Sequence, residues 1–351
     1  MEVVGLDIGF GFTKATNGKD STIFKSVYGE ATEIRFGDST LNPPSREEHL
    51  HIEVDGKAWF VGELAERQSV KRFFTLDQKE FVSSYSKILA LSALAPMVEQ
   101  QDPIKLVVGL PIVHYKSHMK ELSSILSGQH RVALIGPDGK REETVVRVAQ
   151  VKVVPQPMGA MLNLMLGNLG EVVNKRFAGE KIGIIDIGFK TTDFTILDRT
   201  RYSERGSNSI DGGIATAFAV IADKLKDESG ISVELYRLIE PVEQGFIKIR
   251  GKKFDLTKIR EGAFGKLAQV IANEANKLWA DDWDLEAIVI SGGGGAVVAP
   301  QLKPLLQGSV ITSETGEDAR LSNVRGFCKY GKHLWTRGPA RPEAKPAAPA
   351  A

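Results

Sequence analysis

The chain is poor in cysteine: Cys328 is its only one among 351 residues. An intrachain disulfide is therefore excluded, and the reducing cytoplasm is the expected compartment. Excess charge of either sign is also absent, with 45 basic against 44 acidic residues and a net charge of +1. Composition gives no field that would draw DNA or an anionic membrane, so direct nucleic-acid binding is not expected. No stretch approaches the roughly 20 apolar residues of a membrane helix. The best, 88–98, is broken by Pro96. A strand pattern begins at once after Met1, so no signal peptide is expected. The histidines, including His114 and His118, have no partnered cysteines or metal-ligand spacing.

What the chain does have is glycine, 35 residues or about a tenth, against an average near 7%. One phrase occurs twice: Asp7-Ile8-Gly9-Phe10-Gly11-Phe12-Thr13-Lys14 and Asp186-Ile187-Gly188-Phe189-Lys190-Thr191-Thr192-Asp193. Each copy follows an apolar run and leads into a second β-prone stretch. The pattern predicts a hairpin with a carboxylate at the end of its first strand and bare backbone N–H groups in its turn. A chain of this length suits two domains. The two turns then suggest similar domains closing on opposite sides of one polyphosphate.

The rest of the pattern agrees with an internal duplication of α/β units. Strands are expected at 3–7, 11–15 and 21–27, then a turn-rich inserted subdomain at 29–76 with a hairpin around Asp55-Gly56. Apolar spacing predicts a long helix over 79–100. The continuous apolar run 104–110 reads as a strand buried on both faces, followed by a helix over 115–126 and a strand over 145–154. Pro155-Gln156-Pro157 opens a helix to about residue 169, proline being favourable in a first turn. The second half restarts with strands 182–186, 193–197 and 202–206 and a helix over 213–226. Residues 231–280 read as mostly helical around a hairpin turning at Gly251-Lys252. A buried strand at 288–291 runs into Gly292–Gly295 and a helix from Ala296, and a last helix covers 321–334. The Pro/Ala tail 338–351 cannot bury apolar surface and is expected to be disordered.

The chemistry follows from residue type. Gly9, Gly11 and Gly188 allow backbone N–H groups to approach phosphate oxygens, with Phe12 and Lys190 beside them. Thr13, Thr191 and Thr192 could add hydroxyl donors, and Lys14 a compact positive charge. Asp7 and Asp186 would be repelled by phosphate; they suit Mg²⁺, reached through its bound waters. The run Gly292, Gly293, Gly294, Gly295 lets adenine or ribose lie against bare backbone. Asp211, Gly212 and Gly213 open another helix and form a second candidate nucleotide contact.

In this order the motifs resemble those of the actin, sugar-kinase and heat-shock-chaperone ATPases: phosphate turn, connecting helix, phosphate turn, adenosine turn, connecting helix. Over about residues 1–335 the chain looks most like bacterial and archaeal actin-like proteins related to plasmid-segregation ParM (StbA). Val108-Gly109-Leu110-Pro111 with Tyr115, the 154–160 junction, and Asn323-x-Arg325-Gly326-Phe327-x-Lys329-Tyr330-Gly331 carry that likeness. It implies duplicated actin/ribonuclease H-like α/β domains with mixed five-stranded sheets around a nucleotide cleft. Domain I would take 1–157 plus 325–337, and domain II 158–324 with a small subdomain at 229–280. ATP or ADP with Mg²⁺ is the implied cofactor, and Gln156 the residue that positions the attacking water. A glutamine here matches actin and departs from the glutamate of ParM relatives. The implied activity is ATP hydrolysis coupled to a head-to-tail homopolymer, serving plasmid segregation or other cargo, with a DNA-binding adaptor as a possible partner. A kinase of the same superfamily, acting on a sugar or carboxylate, and a non-hydrolysing assembly scaffold are the alternatives. A chaperone ATPase would need a substrate domain that the short tail cannot supply.

Overall fold

A computed structural model describes residues 1–34, 44–77, 81–98, 102–312 and 318–336. The expected disorder of 338–351 falls outside them. No helix among the described residues is long and apolar enough to cross a membrane.

Two sheets carry the chain. The first contains β1 (Glu2–Ile8), β2 (Phe12–Thr16), β3 (Ser21–Lys25), β4 (Tyr28–Glu30), β5 (Leu50–Val54), β6 (Lys57–Val61), β7 (Arg72–Phe73), β8 (Ile104–Leu110), β9 (Gly128–Ile135) and β10 (Arg141–Pro155). The second contains β11 (Lys181–Ile187), β12 (Thr192–Asp198), β13 (Arg201–Ile210), β16 (Ala287–Ser291) and β17 (Val310–Thr312), while β14 (Phe246–Ile249) and β15 (Lys252–Asp255) form a separate hairpin. The orders β3-β2-β1-β8-β10 and β13-β12-β11-β16-β17 are the same arrangement. In each, three strands run antiparallel and the last two continue parallel. The duplication read from the twin phrases is thus a duplication of whole sheets.

The first sheet departs from the five-strand expectation. Its 15-residue β10 outruns the core and carries β9 with it, and β5 pairs with β9. Strands of 29–76 therefore continue one ten-stranded sheet. Asp55 and Gly56 have φ of 51° and 76°, the tight turn that joins β5 to β6.

The helices are α1 (Glu63–Gln68), α2 (Ser86–Leu94), α3 (Ile112–Leu126), α4 (Met158–Met165), α5 (Arg176–Gly179), α6 (Ile214–Ser229), α7 (Ile239–Gln244), α8 (Thr257–Leu278), α9 (Gly293–Leu302) and α10 (Ser322–Thr336). Three differ from expectation. The helix placed over 79–100 is regular only as α2, because Val82 and Ser83 take non-helical dihedrals ahead of it. Helix α4 stops at Met165 rather than near 169. Helix α9 begins at Gly293, so its glycines form its first turn rather than preceding it. The second hairpin turns at Arg250-Gly251, one residue earlier than read, with φ of 50° and 80°.

Burial on both faces explains the unbroken apolar runs. Ile182 and Ile184 of β11 pack with Met161, Leu162 and Met165 of α4. Ile185 and Ile187 face the opposite way, into the core formed with α6, α8 and α9. On the first sheet, Ile88, Leu89 and Leu91 of α2 cover one face. Phe327 of α10 packs on Val107 and Val154 and is fully buried, contributing about 1.5–3 kcal/mol. Helices α4 and α10 cross at Gly159 and Gly326. A Cβ on Gly326 would overlap the Gly159 carbonyl oxygen, so only glycine allows that approach.

Candidate functional site

The two acidic turns are built alike. Gly9 N–H donates to Phe12 O at 3.0 Å, and Gly188 N–H to Thr191 O at 2.9 Å. The N–H groups of Gly11, Phe189 and Lys190 donate no backbone hydrogen bond among the described residues. They are donors suited to an anion. The turns meet: a side chain on Gly11 would strike the Phe189 ring. Between them and the second domain lies a cavity of about 460 Å³. Gly9, Gly11, Phe12, Lys14, Gln156, Gly188, Lys190, Thr191, Gly293 and Gly294 all line it. Residues from both halves of the sequence thus share one wall.

The carboxylates sit just beneath. Asp7 is buried; Lys14 Nζ lies 2.8 Å from its Oδ2, and Gln156 Nε2 donates to its Oδ1 at 2.8 Å. The register that opposes Asp7 to Lys14 creates this ion pair. At the equivalent place in the second turn, Asp186 opposes Asp193. Asp186 Oδ1 accepts from Ser291 Oγ and Oδ2 from Asn323 Nδ2, both at 2.9 Å. Burial pushes its carboxyl above the ordinary range; Asn323 pulls it down, and the Asp7 charge raises it further. Asp193 is likewise pushed up, to about 7, by burial first.

Several residues read as ligand contacts are placed elsewhere. Thr13 is fully buried, with its hydroxyl 2.9 Å from Ser26 Oγ, because β2 alternates and turns it away from the side of Phe12 and Lys14. Thr192 is buried too and donates to Gly212 O at 2.7 Å. Asp211 is exposed, 3.8 Å from Lys190 Nζ. Gly212 and Gly213 lie under the second turn rather than in the cavity. There the N–H groups of Gly213, Ile214 and Ala215 donate to the carbonyls of Lys190, Gly188 and Phe189. The start of α6 therefore props the turn. Gly292 has φ of 83°, and a Cβ there would strike Ile187 O and Asp186 Oδ1. The glycine run is needed at that point for packing on the second turn, while Gly293 and Gly294 face the cavity.

The sequence reading missed Ser291 and Asn323, and also Arg260, Gln301 and Arg320, which line the cavity. Arg320 is held by Asp318 at 2.7 Å and stacks over Phe12 at 5.0 Å. Gln301 Oε1 is buried and has no hydrogen-bond partner among the described residues. Ser291 directly precedes the glycine run and Asn323 opens the 323–331 motif, so each lay beside a signal; the others are scattered and had none.

Two family models match: actin-like proteins, N-terminal domain, over residues 5–159, and archaeal actin homologue MreB-like, C-terminal, over residues 184–304. The chain belongs to the actin-like superfamily. No curated protein sequence matches this actin-like chain. Among solved structures, a 15-stranded ParM filament from Clostridium botulinum superposes with a TM-score of 0.79 at 23% identity, over 95% of this chain and 99% of the other. An archaeal actin homologue in complex with ADP gives 0.77 at 19% identity, over 95% and 100%. Bacillus thuringiensis ParM with ADP gives 0.68 at 18%, over 95% and 99%. At these identities the likeness shows the fold, an actin-like arrangement of two sheet-containing domains.

Proposed function

We propose that this actin-like chain binds ATP with Mg²⁺ between its two domains, hydrolyses it, and assembles head to tail into filaments that hydrolysis weakens. The observation that carries the reading is convergence. Two equivalent turns, 179 positions apart, and the junction residue Gln156 face one cavity. Its volume of about 460 Å³ lies within the range of small-molecule sites.

We assign residues 1–157 with 325–337 to domain I and 158–324 to domain II, with α4 and α10 as the connecting hinges. The turn N–H groups and Lys14 would hold the β- and γ-phosphates. Asp7 and Asp186 are hard oxygen donors, and Mg²⁺ keeps several of its waters while taking one or two carboxylates and phosphate oxygens. The donor set fits, and Asp7 and Asp186 would hold the ion through those waters. Bound there, it would neutralise charge on the transferring phosphoryl group. Gln156 gives its N–H to Asp7, which fixes the amide and leaves Oε1 to accept from a water. An amide orients water without being a strong base, and phosphoryl transfer rests mainly on positioning and electrostatics.

Likeness to ParM structures supports, as the task of such a filament, the movement or placement of DNA or another cargo. Contact with DNA would be through an adaptor rather than direct. Light scattering and phosphate release, followed against protein concentration with ATP and Mg²⁺, test the core of the reading. Scattering above a threshold concentration with accompanying phosphate release is expected. Turnover linear in protein, stimulated by a small alcohol and without scattering, would move the assignment to a kinase.

A further inference from the structure

Helix α8 joins two surfaces of opposite charge. Its 22 residues span about 33 Å at 1.5 Å each. Hairpin β14–β15 immediately precedes it, and the loop 279–286 immediately follows it, so the two lie at opposite ends of this helix. On the hairpin, Lys248, Arg250, Lys252 and Lys253 are all exposed; among the described residues Lys253 feels the charge of Asp255 on its own strand. Lys252 and Lys253 lie over Phe254 and Phe246 at 4.9 and 4.2 Å. Arg250 occupies the tip of the turn.

The loop at the other end is acidic and aromatic. Asp281, Trp283, Asp284 and Glu286 are exposed, and Trp283 is 91% exposed, an unusual state for an indole. The loop is nevertheless rigidly held. Buried Asp282 pairs with Lys181 at 2.7 Å and with Arg205; Asp284 pairs with the same Lys181 at 2.7 Å. Beneath it Trp279 is buried and donates to Gly206 O at 2.9 Å. A fixed frame therefore presents one tryptophan and its flanking carboxylates outward. Tryptophan and arginine are the residues most often found as interface anchors, and an indole is the best ring for a cation.

We propose that these two surfaces bind each other between copies of this chain. The 281–286 loop of one copy would seat on the β14–β15 hairpin of the next, Trp283 against the Arg250 guanidinium and the carboxylates toward the lysines. Because the surfaces differ and sit at opposite ends of one helix, the contact is heterologous, the kind whose open repeat builds a filament. The inference rests on the filament reading and names the residues that make its end-to-end contact.

The test uses the full-length protein with ATP and Mg²⁺. One variant, Trp283→Ala with Asp281→Lys, blocks the loop; another, Arg250→Glu with Lys252→Glu, blocks the hairpin. Each alone is expected to raise the critical concentration for sedimentation at least tenfold while its ADP affinity stays unchanged. Mixed together they retain one good interface and should form a 1:1 dimer, and nothing longer, in analytical ultracentrifugation. Filaments that assemble at the wild-type threshold in either variant overturn the interface and leave the filament reading standing. A mixture that stays monomeric also overturns the interface, whether or not wild-type protein sediments. A dimer in the mixture beside a wild-type chain that forms long assemblies without hydrolysing ATP supports the interface and removes the hydrolysis part of the functional reading.

Discussion

Asn323 donates its side-chain amide to Asp186 Oδ2 at 2.9 Å, which ties the second acidic turn to the first turn of helix α10. Both residues are buried. Asn323→Ala leaves a buried carboxylate short of one donor, a loss of about 1–3 kcal/mol. A lower melting temperature and a severe loss of ATP turnover are expected. Asn323→Asp should be worse than alanine, because it faces one carboxylate with another. Thermal melts of the three proteins at neutral pH check this ranking; an unchanged melting temperature in Asn323→Ala would remove the structural role.

Gln156 touches Asp7 through its nitrogen and is proposed to hold water through its oxygen. Gln156→Ala should slow phosphate release about 10²-fold, the scale of a misplaced reactant, while leaving assembly largely intact. Single-turnover phosphate release measured beside sedimentation separates the two effects. Normal hydrolysis in the alanine variant would show that the water is positioned by another group.

The twin turns could be read from sequence because each is local: an apolar strand, an acid, glycine, then another strand. The Asp7–Lys14 pair follows from hairpin register alone. Burial of Thr13 was implicit in the same alternation, since Phe12 and Lys14 take one face of β2 and Thr13 the other. The pairing of Asp186 with its partners was hidden for a different reason. Ser291 and Asn323 lie 105 and 137 positions away and reach it only after β16 and α10 have docked. The extension of the first sheet was equally hidden, because β9 mixes exposed polar with buried apolar residues and has no clean period. Local periodicity therefore revealed the turns and the duplicated order, while the residues that hold the turns in place depend on tertiary packing.

Gln301 brings to the cavity wall an amide whose Oε1 has no partner among the described residues. Glutamine pairs with the adjoining N6 donor and N7 acceptor of adenine, whereas guanine offers two acceptors at that edge. The chain should therefore prefer ADP to GDP by about 10–100-fold, the worth of one bidentate pair. Gln301→Ala should bring the two affinities together, chiefly by weakening ADP. Titration calorimetry with both nucleotides checks the ratio; a wild-type ratio of one, or a ratio unchanged by the substitution, would exclude Gln301 as the base reader.

His51 is neutral in the fold, its pKa pushed down to about 4 by burial first and by neighbouring His49. Its ring packs edge-on against Phe60 at 4.7 Å, and Nε2 is buried with no hydrogen-bond partner among the described residues. In the unfolded chain it titrates near 6.5. The unfolded state thus binds the extra proton first, and stability falls as pH drops from about 6.5 toward 4. Above that window the contribution is fully present. His51→Leu keeps an apolar side chain against Phe60 and should flatten this part of the pH dependence, leaving the share due to His114, whose pKa burial also lowers. Melting temperatures of both proteins at pH 7 and pH 4.5 check it. Parallel losses in the two would place the acid sensitivity elsewhere.

Lys25 of β3 lies 3.0 Å from Glu66 on α1 and 2.8 Å from Glu240 on α7, joining the first domain to the second. Arg72 and Glu234 at 3.5 Å, and the Phe74 and Tyr236 rings at 5.1 Å, bridge the same gap. Residues Ile239 and Val242, flanking Glu240 on α7, line the cavity, so opening this bridge would move a cavity wall. Glu240 is half-exposed, and Glu240→Gln leaves Lys25 its other partner, so no unpaired buried charge results. The substitution should loosen closure by about 1 kcal/mol at most, the worth of a partly exposed pair. Nucleotide should then leave up to about fivefold faster, with little change in its association rate. Stopped-flow release of a fluorescent ADP analogue measures this directly. The effect should shrink as salt is raised, because screening weakens the pair in the wild-type protein as well. A salt-independent change in release would point to packing around α7 rather than to the ion pair.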